Sequence, residues 1–409
     1  MRIHLHLLLL AAFVVTGSHA AGQTRLLGAD LSMLPVYEKA GAVYRDASGQ
    51  TQADPLLFFR DKGGVRCVRL RLFVNPTGET GVVQDLDFVK TFARRIKAAG
   101  MKWMLDFHYS DTWADPSKQH LPQGWPTDPA GIEQTLCTYT AETLQSLVAE
   151  GAGPDYIQIG NEISYGLCDL KVNTGSDSNW STFCSWLSAA ARACREQCPD
   201  AKIIVHTERA GQWSTTRSFY ERIASVDYDI IGLSYYPFWH NSLAVLSSTL
   251  TNLAATFPQK EVMIVEYAYN NAWTPGGATY DFSTQYPYTP DGQRAFTEAL
   301  IAELRTHANV TGFFYWMPEE NPAGNHVYEP WLNRGLFANG YASVGQANAN
   351  CALPAFYSLS KFTEGQEDGV SAIGTDRRRR PAVYDLAGRT LTAHHHGIAV
   401  SQGHKAVMP

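Results

Sequence analysis

Short apolar runs alternate with longer amphipathic segments along most of the chain. The short runs are rich in β-branched and aromatic residues, which is typical of buried strands, whereas the longer segments carry apolar residues at helical spacing. The pattern predicts strands at Leu26–Met33, Val65–Val74, Lys102–His108, Asp155–Glu162, Lys202–Thr207, Asp229–Tyr236, Glu261–Tyr267 and Val310–Met317. It predicts helices at Gln84–Ala99, Gly131–Val148, Trp180–Gln197, Thr215–Ala224, Leu243–Phe257, Gly292–His307 and Pro354–Phe362.

Eight strands alternating with helices predict an α/β protein of the (β/α)₈ barrel class. A doubly wound open sheet is the rival. An open sheet concentrates its functional residues at one switch point, and no glycine-rich phosphate loop follows the first strand. Here polar or aromatic residues recur at nearly every strand end, which favours the barrel: Asp30, Arg71, His108, Glu162, His206, Tyr235, Glu266 and Trp316.

The two ends of the chain differ in character from the predicted barrel. Residues 1–20 combine Arg2, a short apolar run and a small-residue ending, which indicates a secretory signal peptide too short to span a bilayer. Residues 21–365 form the predicted catalytic domain. Residues 366–409 are predicted to be a linker, with a run of arginines at 377–380, and a short tail of two β-like segments, 381–391 and 397–408. We therefore expect an exported protein that is periplasmic, displayed on the cell surface or extracellular.

Composition excludes several classes of partner. The formal net charge of -6 offers no basic field for nucleic acid, and no segment after the signal peptide is apolar enough for a membrane span. Aromatic residues make up 12% of the chain, with ten Trp and twenty Tyr, a richness that suits sugar binding. We expect a monomer.

The seven cysteines indicate no metal centre. An exported protein can form disulfides, but the odd count leaves at least one thiol unpaired. Because no Cys-x-x-Cys pair or neighbouring His completes a tetrahedral set, no zinc site is predicted.

Two apolar strands end in a glutamate. Glu162 follows Asn161 at the end of the fourth predicted strand, and Glu266 lies near the end of the seventh. Paired carboxyl groups at strand tips are the minimum apparatus for cleaving a glycosidic bond. Arg69 and Arg71 share one face of their strand, and we expect Arg71, near the strand end, to balance the charge of Glu266. Tyr235 and Trp316 are then expected to orient this carboxylate and to form a sugar platform.

Five segments, in order along the chain, carry a resemblance to a known family. They are Gly28–Ser32, Val68–Pro76, Asp106–Pro116, Gln158–Glu162 and Ser234–Trp239. Together they resemble the endo-β-1,4-galactanases of glycoside hydrolase family 53 over roughly Leu27 to Phe362.

The resemblance implies a retaining hydrolase that acts on β-1,4-galactan, the side chains of pectin, without a required cofactor. It implies that Glu162 is the acid/base and Glu266 the nucleophile. It also implies that the following residues line the substrate cleft: Arg71, His108, Asp111, Trp113, Asn161, Tyr235, Trp239 and Trp316. Some members bind calcium, for which the polar loop Asn270–Asp281 is the place to look, although it lacks a recognisable calcium spacing.

Two alternatives stay open at this stage. One is another retaining β-glycanase of the same clan, such as a mannanase or cellulase, against which the full set of motifs argues. The other is a glycan-binding protein on an inactive barrel, which would have lost one of the two carboxylates.

Overall fold

The structure is a computed structural model that describes residues 24–172, 179–320, 333–338, 349–366, 397–401 and 404–408. The chain divides into two compact units, Met1–Glu364 and Gly365–Pro409. The predicted signal peptide lies outside the described residues. Among those that are described, no helix has the length and apolarity needed to cross a membrane.

The first unit is built on a closed barrel of eight parallel strands, as predicted. The strands are joined in the order β1-β8-β7-β6-β5-β4-β3-β2, so that each lies beside its neighbours in sequence and the last closes on the first. Their bounds are β1 Leu26–Asp30, β2 Cys67–Leu72, β3 Lys102–Phe107, β4 Tyr156–Ile159, β5 Lys202–Thr207, β6 Ile230–Tyr235, β7 Glu261–Tyr267 and β8 Val310–Trp316.

Helices surround the barrel, and several begin at a side chain that caps their first turn. Asp85, Asp128, Ser242 and Thr289 each accept a hydrogen bond from the backbone N–H three residues later. Within the described residues the α-helices are Leu34–Lys39, Pro55–Asp61, Leu86–Ala98, Pro129–Ala149, Trp180–Gln197, Trp213–Arg222, Pro237–His240, Leu243–Thr256, Pro290–Thr306 and Pro354–Ser358. Single 3₁₀ turns lie at Ile163–Tyr165 and Leu359–Phe362.

The structure adds short elements that the apolar pattern does not predict. Helices Leu34–Lys39, Pro55–Asp61 and Pro237–His240 all lie in segments between strands and have a proline in the first turn. A two-residue hairpin, Gly166–Leu167 with Leu170–Lys171, follows β4. Such elements are shorter than the window over which periodicity can be recognised.

The inside of the barrel is layered. Its lower half is an apolar plug of Cys67, Met104, Ile204, Ile230, Met263, Val265 and Phe314. Gly28 is part of this packing, because a Cβ at that position would lie 2.1 Å from the ring of Phe314. Above the plug the inward-facing side chains are polar, and this layer supports the mouth of the barrel.

The second unit contains one antiparallel hairpin, Gly397–Ser401 with His404–Met408. The second predicted tail segment is thus itself a pair of strands. The other segment, 381–391, and the arginine run at 377–380 lie outside the described residues.

Candidate active site

A cleft of about 540 Å³ opens at the carboxyl ends of the barrel strands. Its wall is formed by strand tips and by the loops that follow them, where (β/α)₈ enzymes hold their catalytic groups. It is lined by Arg71, Glu79, Thr80, His108, Trp113, Ala114, Asp115, Lys118, Asn161, Glu162, Tyr236, Trp239, Glu266, Trp316 and Arg334.

Glu162 stands just past the end of β4 on a left-handed turn of the backbone, with φ 49° and ψ 48°. Its Oε1 accepts a hydrogen bond of 2.6 Å from the hydroxyl of Ser234 on β6. The Ser234 oxygen lies 2.8 Å from Nε2 of His206 on β5. The Glu162 carboxyl group is therefore held by a neutral hydroxyl with a histidine behind it.

Glu266 is more deeply buried and is held by stronger donors. Its Oε1 lies 2.9 Å from Nη2 of Arg69, and its Oε2 accepts a hydrogen bond of 2.8 Å from the hydroxyl of Tyr236. Both donors favour a negative charge on this carboxyl group.

The prediction that Arg71 balances the charge of Glu266 was wrong, because Arg69 makes that contact. Arg69, which is fully buried, also pairs with Asp30 and Asp106 at 2.8 Å each. Arg71 instead pairs with Asp30 at 3.0 Å and lies over the Trp113 ring at 4.7 Å. Both arginines face the interior, as their parity predicts, but the long side chain of Arg69 extends to Glu266 while that of Arg71 turns to the cleft wall.

The two glutamates have unequal proton affinities. Burial raises the pKa of Glu162 well above its usual range, and the charges of Glu266 and Glu208 add to this rise. Burial also raises the pKa of Glu266, but the charge of Arg69 and the hydrogen bond from Tyr236 oppose it. These surroundings favour a shared proton on Glu162 and the negative charge on Glu266.

Two buried histidines line the polar layer in neutral form. Burial lowers the pKa of His108 and lowers that of His206 well below its usual range, in both cases with a contribution from the positive charge of Arg69. Nδ1 of His206 accepts from the backbone N–H of Glu162 at 3.3 Å, which leaves its proton on Nε2 to be donated to Ser234. Nδ1 of His108 accepts from the N–H of Ala114 at 3.1 Å and fixes the start of the loop after β3.

Most of the predicted site residues lie in the cleft wall. These are Arg71, His108, Trp113, Asn161, Glu162, Trp239, Glu266 and Trp316. Trp113 and Trp239 are each oriented by an indole N–H that donates to a loop carbonyl, of Thr80 at 3.1 Å and of Gly277 at 3.0 Å. Asn161 donates to Ala114 O and accepts from Arg69, both at 2.8 Å.

Two predicted substrate-binding residues lie elsewhere. The carboxylate of Asp111 is occupied in joining loops, since it accepts from Asn75 N at 2.9 Å and from Gln123 N at 2.7 Å. Tyr235 is buried outside the cleft, where its hydroxyl donates to Asn241 O at 2.9 Å. The expectation that it orients the nucleophile was wrong, because the adjacent Tyr236 makes that contact.

Sequence reasoning also missed Arg69, Asp106, Ser234 and Arg334 as parts of the site. For Ser234 and Tyr236 a signal was available, because alternation along β6 places them on the same face, opposite Tyr235. Arg334 had none. It comes from the long loop after β8, and its guanidinium lies 5.3–5.7 Å from the rings of Tyr236, Trp239 and Trp316.

No metal-binding cluster of three or more His, Cys, Asp or Glu side chains occurs within the described part of the chain. In the loop Asn270–Asp281, Asp281 accepts from Ser283 N and Tyr288 OH, and Asn270 donates to Trp273 O. These hydrogen bonds hold the loop together. All seven cysteines are free thiols.

A parallel (β/α)₈ barrel whose mouth holds two carboxyl groups of unequal proton affinity beside the indole rings of the cleft wall has the construction of a glycoside hydrolase. The model of glycosyl hydrolase family 53 matches residues 26–359. The chain belongs to this family.

Individual relatives agree with the family assignment. A probable arabinogalactan endo-β-1,4-galactanase A of Neosartorya fischeri is 34% identical over 326 residues, which cover 76% of this chain and 89% of the relative. An arabinogalactan endo-β-1,4-galactanase of Thermothelomyces thermophilus is 34% identical over 304 residues, covering 71% and 88%. A solved fungal β-1,4-galactanase superposes with a TM-score of 0.67 at 31% identity, covering 83% of this chain and 99% of that one.

Proposed function

We propose that this protein is an endo-acting hydrolase of β-1,4-linked galactan that retains the configuration at the anomeric carbon. Membership of family 53 supports the substrate, because the relatives at 34% identity carry the name arabinogalactan endo-β-1,4-galactanase. The single observation that carries the chemistry is the asymmetry of the carboxyl pair. Glu266 has a cationic and a hydroxyl donor, whereas Glu162 has one hydroxyl donor and two anionic neighbours.

In the first step, Glu266 attacks the anomeric carbon and Glu162 donates its proton to the departing glycosidic oxygen. The Ser234 hydroxyl donates to Oε1 of Glu162, so this oxygen is an acceptor and the proton resides on Oε2. The charge of Arg69 stabilises Glu266 as a carboxylate until the covalent bond forms. In the second step, Glu162 accepts a proton from water, which then displaces the sugar from Glu266.

The cleft wall provides the binding surface. The indole rings of Trp113, Trp239 and Trp316 offer apolar faces for pyranose rings. Arg71 supplies a donor, because its Nε and Nη2 are buried at the cleft and have no hydrogen-bond partner within the described residues. A sugar hydroxyl would satisfy these groups.

Export and a monomeric state are part of the same proposal. A polysaccharide substrate is met outside the cytoplasm, in agreement with the signal peptide predicted at residues 1–20. Fractionation of the producing cells with an antibody against the barrel tests the location, and sedimentation tests the oligomeric state.

Digestion of a panel of polymers tests the activity. The purified protein should depolymerise β-1,4-galactan to oligosaccharides of intermediate length before small products accumulate, and should leave β-1,4-mannan and β-1,4-glucan intact. Proton NMR of the first products should detect the β-anomer before mutarotation. Release of the α-anomer would overturn retention, and preferential cleavage of mannan or glucan would overturn the substrate assignment.

A further inference from the structure

A second depression of about 410 Å³ lies beside the catalytic cleft. It is bordered by the loop after β3 and by the short hairpin after β4, and is lined in part by Pro116, Ser117, Gln119, Tyr165, Asp169 and Lys171. The turn Asp115–Gln119 forms a wall of both spaces, since Asp115 and Lys118 line the catalytic cleft. The two depressions are therefore neighbours on either side of this turn.

The depression lies on the Glu162 side of the barrel mouth. In the closed barrel β3 is diametrically opposite β7, the strand that carries Glu266. Because the acid protonates the departing oxygen, the leaving-group part of the substrate must lie on the Glu162 side of the bond that is cut. A chain that continues past Glu162 in this direction meets the second depression.

An exposed tyrosine stands in this depression. Tyr165, three residues after Glu162, is 48% exposed. The guanidinium of Arg209 lies 4.3 Å from the centroid of its ring, so that one face is covered by a cation. The exposed part of the ring has no role in the core and offers an apolar surface on which a sugar ring can stack.

Tyr165 is also tied to the catalytic acid. Ser164 donates to the carboxylate of Glu208 at 2.7 Å, and Glu208 pairs with Arg209 at 2.7 Å. These contacts fasten the turn Ile163–Tyr165 to the tip of β5. Gln119, in the loop after β3, contacts the end of β4 by donating to Asn161 O at 2.8 Å.

The polar groups around the ring suit a neutral glycan. Lys171 and Asp169 are exposed charges of opposite sign. The Ser117 hydroxyl and the Gln119 amide already donate to Asp115 and Asn161. Lys171 and Asp169 therefore offer a donor and an acceptor for sugar hydroxyls, and the depression has no strong field of one sign.

We propose that Tyr165 is a platform for a galactosyl unit in the leaving-group part of the substrate, beyond the unit that adjoins the bond to be cut. This inference rests on the proposed galactanase function and deepens it. The platform would make cleavage favour chains that leave a longer reducing-end fragment, and Tyr165 would act as a specificity-determining residue.

Cleavage of a β-1,4-galacto-oligosaccharide series in H₂¹⁸O tests the proposal. The isotope marks each new reducing end, so mass spectrometry gives the position of every cut without a label on the substrate. For Tyr165→Ala, kcat/KM for cuts that leave long reducing-end fragments should fall about threefold to tenfold more than for cuts that leave short ones. Tyr165→Trp should preserve the wild-type distribution.

Val148→Ala is the matched control, since Val148 is 47% exposed on a helix that ends at the other end of the barrel. Its cleavage pattern should be that of the wild type. An equal loss at all cut positions in Tyr165→Ala, an unchanged pattern, or a loss confined to the non-reducing side would overturn the platform. Failure of the wild-type protein to cut galactan would instead overturn the proposed function, and is seen before any variant is compared.

Discussion

The surroundings of Glu162 and Glu266 differ although the residues are chemically identical. Glu266 lies within β7, directly after a register shift against β6, and receives an arginine and a tyrosine hydroxyl, one on each oxygen. Glu162 lies on a left-handed turn just beyond its strand, receives one serine hydroxyl, and has Glu208 and Glu266 as anionic neighbours. The comparison teaches that a barrel gives two identical side chains unequal proton affinities through the donors that adjacent strands supply.

The largest expected effect comes from replacing Glu266, the glutamate whose surroundings favour a negative charge. Glu266→Gln keeps the shape of the site but has no attacking oxygen, so turnover should fall more than about 10⁴-fold on every substrate, including an aryl galactoside with a good leaving group. The rate of aryl release measures this. Glu261→Gln, at the opposite end of the same strand, is the control and should keep wild-type activity. Substantial release by Glu266→Gln would exclude it as the nucleophile.

Removing the protonated partner should have a smaller effect that depends on the substrate. Glu162→Gln should lose about 10²–10⁴-fold on galactan. It should retain the first step on an activated aryl galactoside, whose leaving group needs no proton. The second step then lacks a base, and azide should restore turnover with a β-azide as product, since two inversions give net retention. Azide rescue of Glu266→Gln in its place, or an α-azide, would reverse the assignment.

The smallest expected effects come from removing one hydroxyl group beside each of the two glutamates. The Tyr236 hydrogen bond lowers the pKa of Glu266, so Tyr236→Phe should raise that pKa and move the acidic limb of the kcat/KM profile to higher pH. The Ser234 hydrogen bond lowers the pKa of Glu162, so Ser234→Ala should move the basic limb to higher pH. Each shift should be about one pH unit.

The pH profile of kcat/KM on one oligosaccharide of fixed length measures both shifts. Tyr235→Phe is the control, because Tyr235 faces away from the cleft and should leave both limbs in place. A shift of the basic limb in Tyr236→Phe, or of the acidic limb in Ser234→Ala, would contradict the assignment of the two environments.

The sequence was sufficient for the barrel and for the positions of both carboxyl groups. Apolar runs that end in a polar residue locate strand tips, and parallel strands bring their tips to one face. Trp180–Gln197 and Glu261–Tyr267 were predicted with the bounds that the structure has. Eight repeats of one unit leave few other ways to bury these strands.

The side chains that contact the two carboxyl groups could not be predicted from the sequence, for two physical reasons. Parity shows that Arg69 and Arg71 both face inward, but long side chains choose among several rotamers, and only packing decides which reaches Glu266. The register of β6 against β7 also shifts between Leu233 and Ser234, so that Ser234 lies opposite Glu266. Such irregularities re-aim side chains at strand ends without a mark in the apolar pattern.

The left-handed backbone of Glu162 has a consequence for the folding stability of the whole barrel. A side chain with a Cβ costs about 1–2 kcal/mol in this conformation, and few residues other than glycine adopt it without strain. In the proposed mechanism that cost falls on the residue that also keeps its proton in a buried, negatively charged setting. Stability and the proposed activity would then conflict at position 162, and the rest of the barrel has to hold in place a side chain whose own backbone conformation is unfavourable.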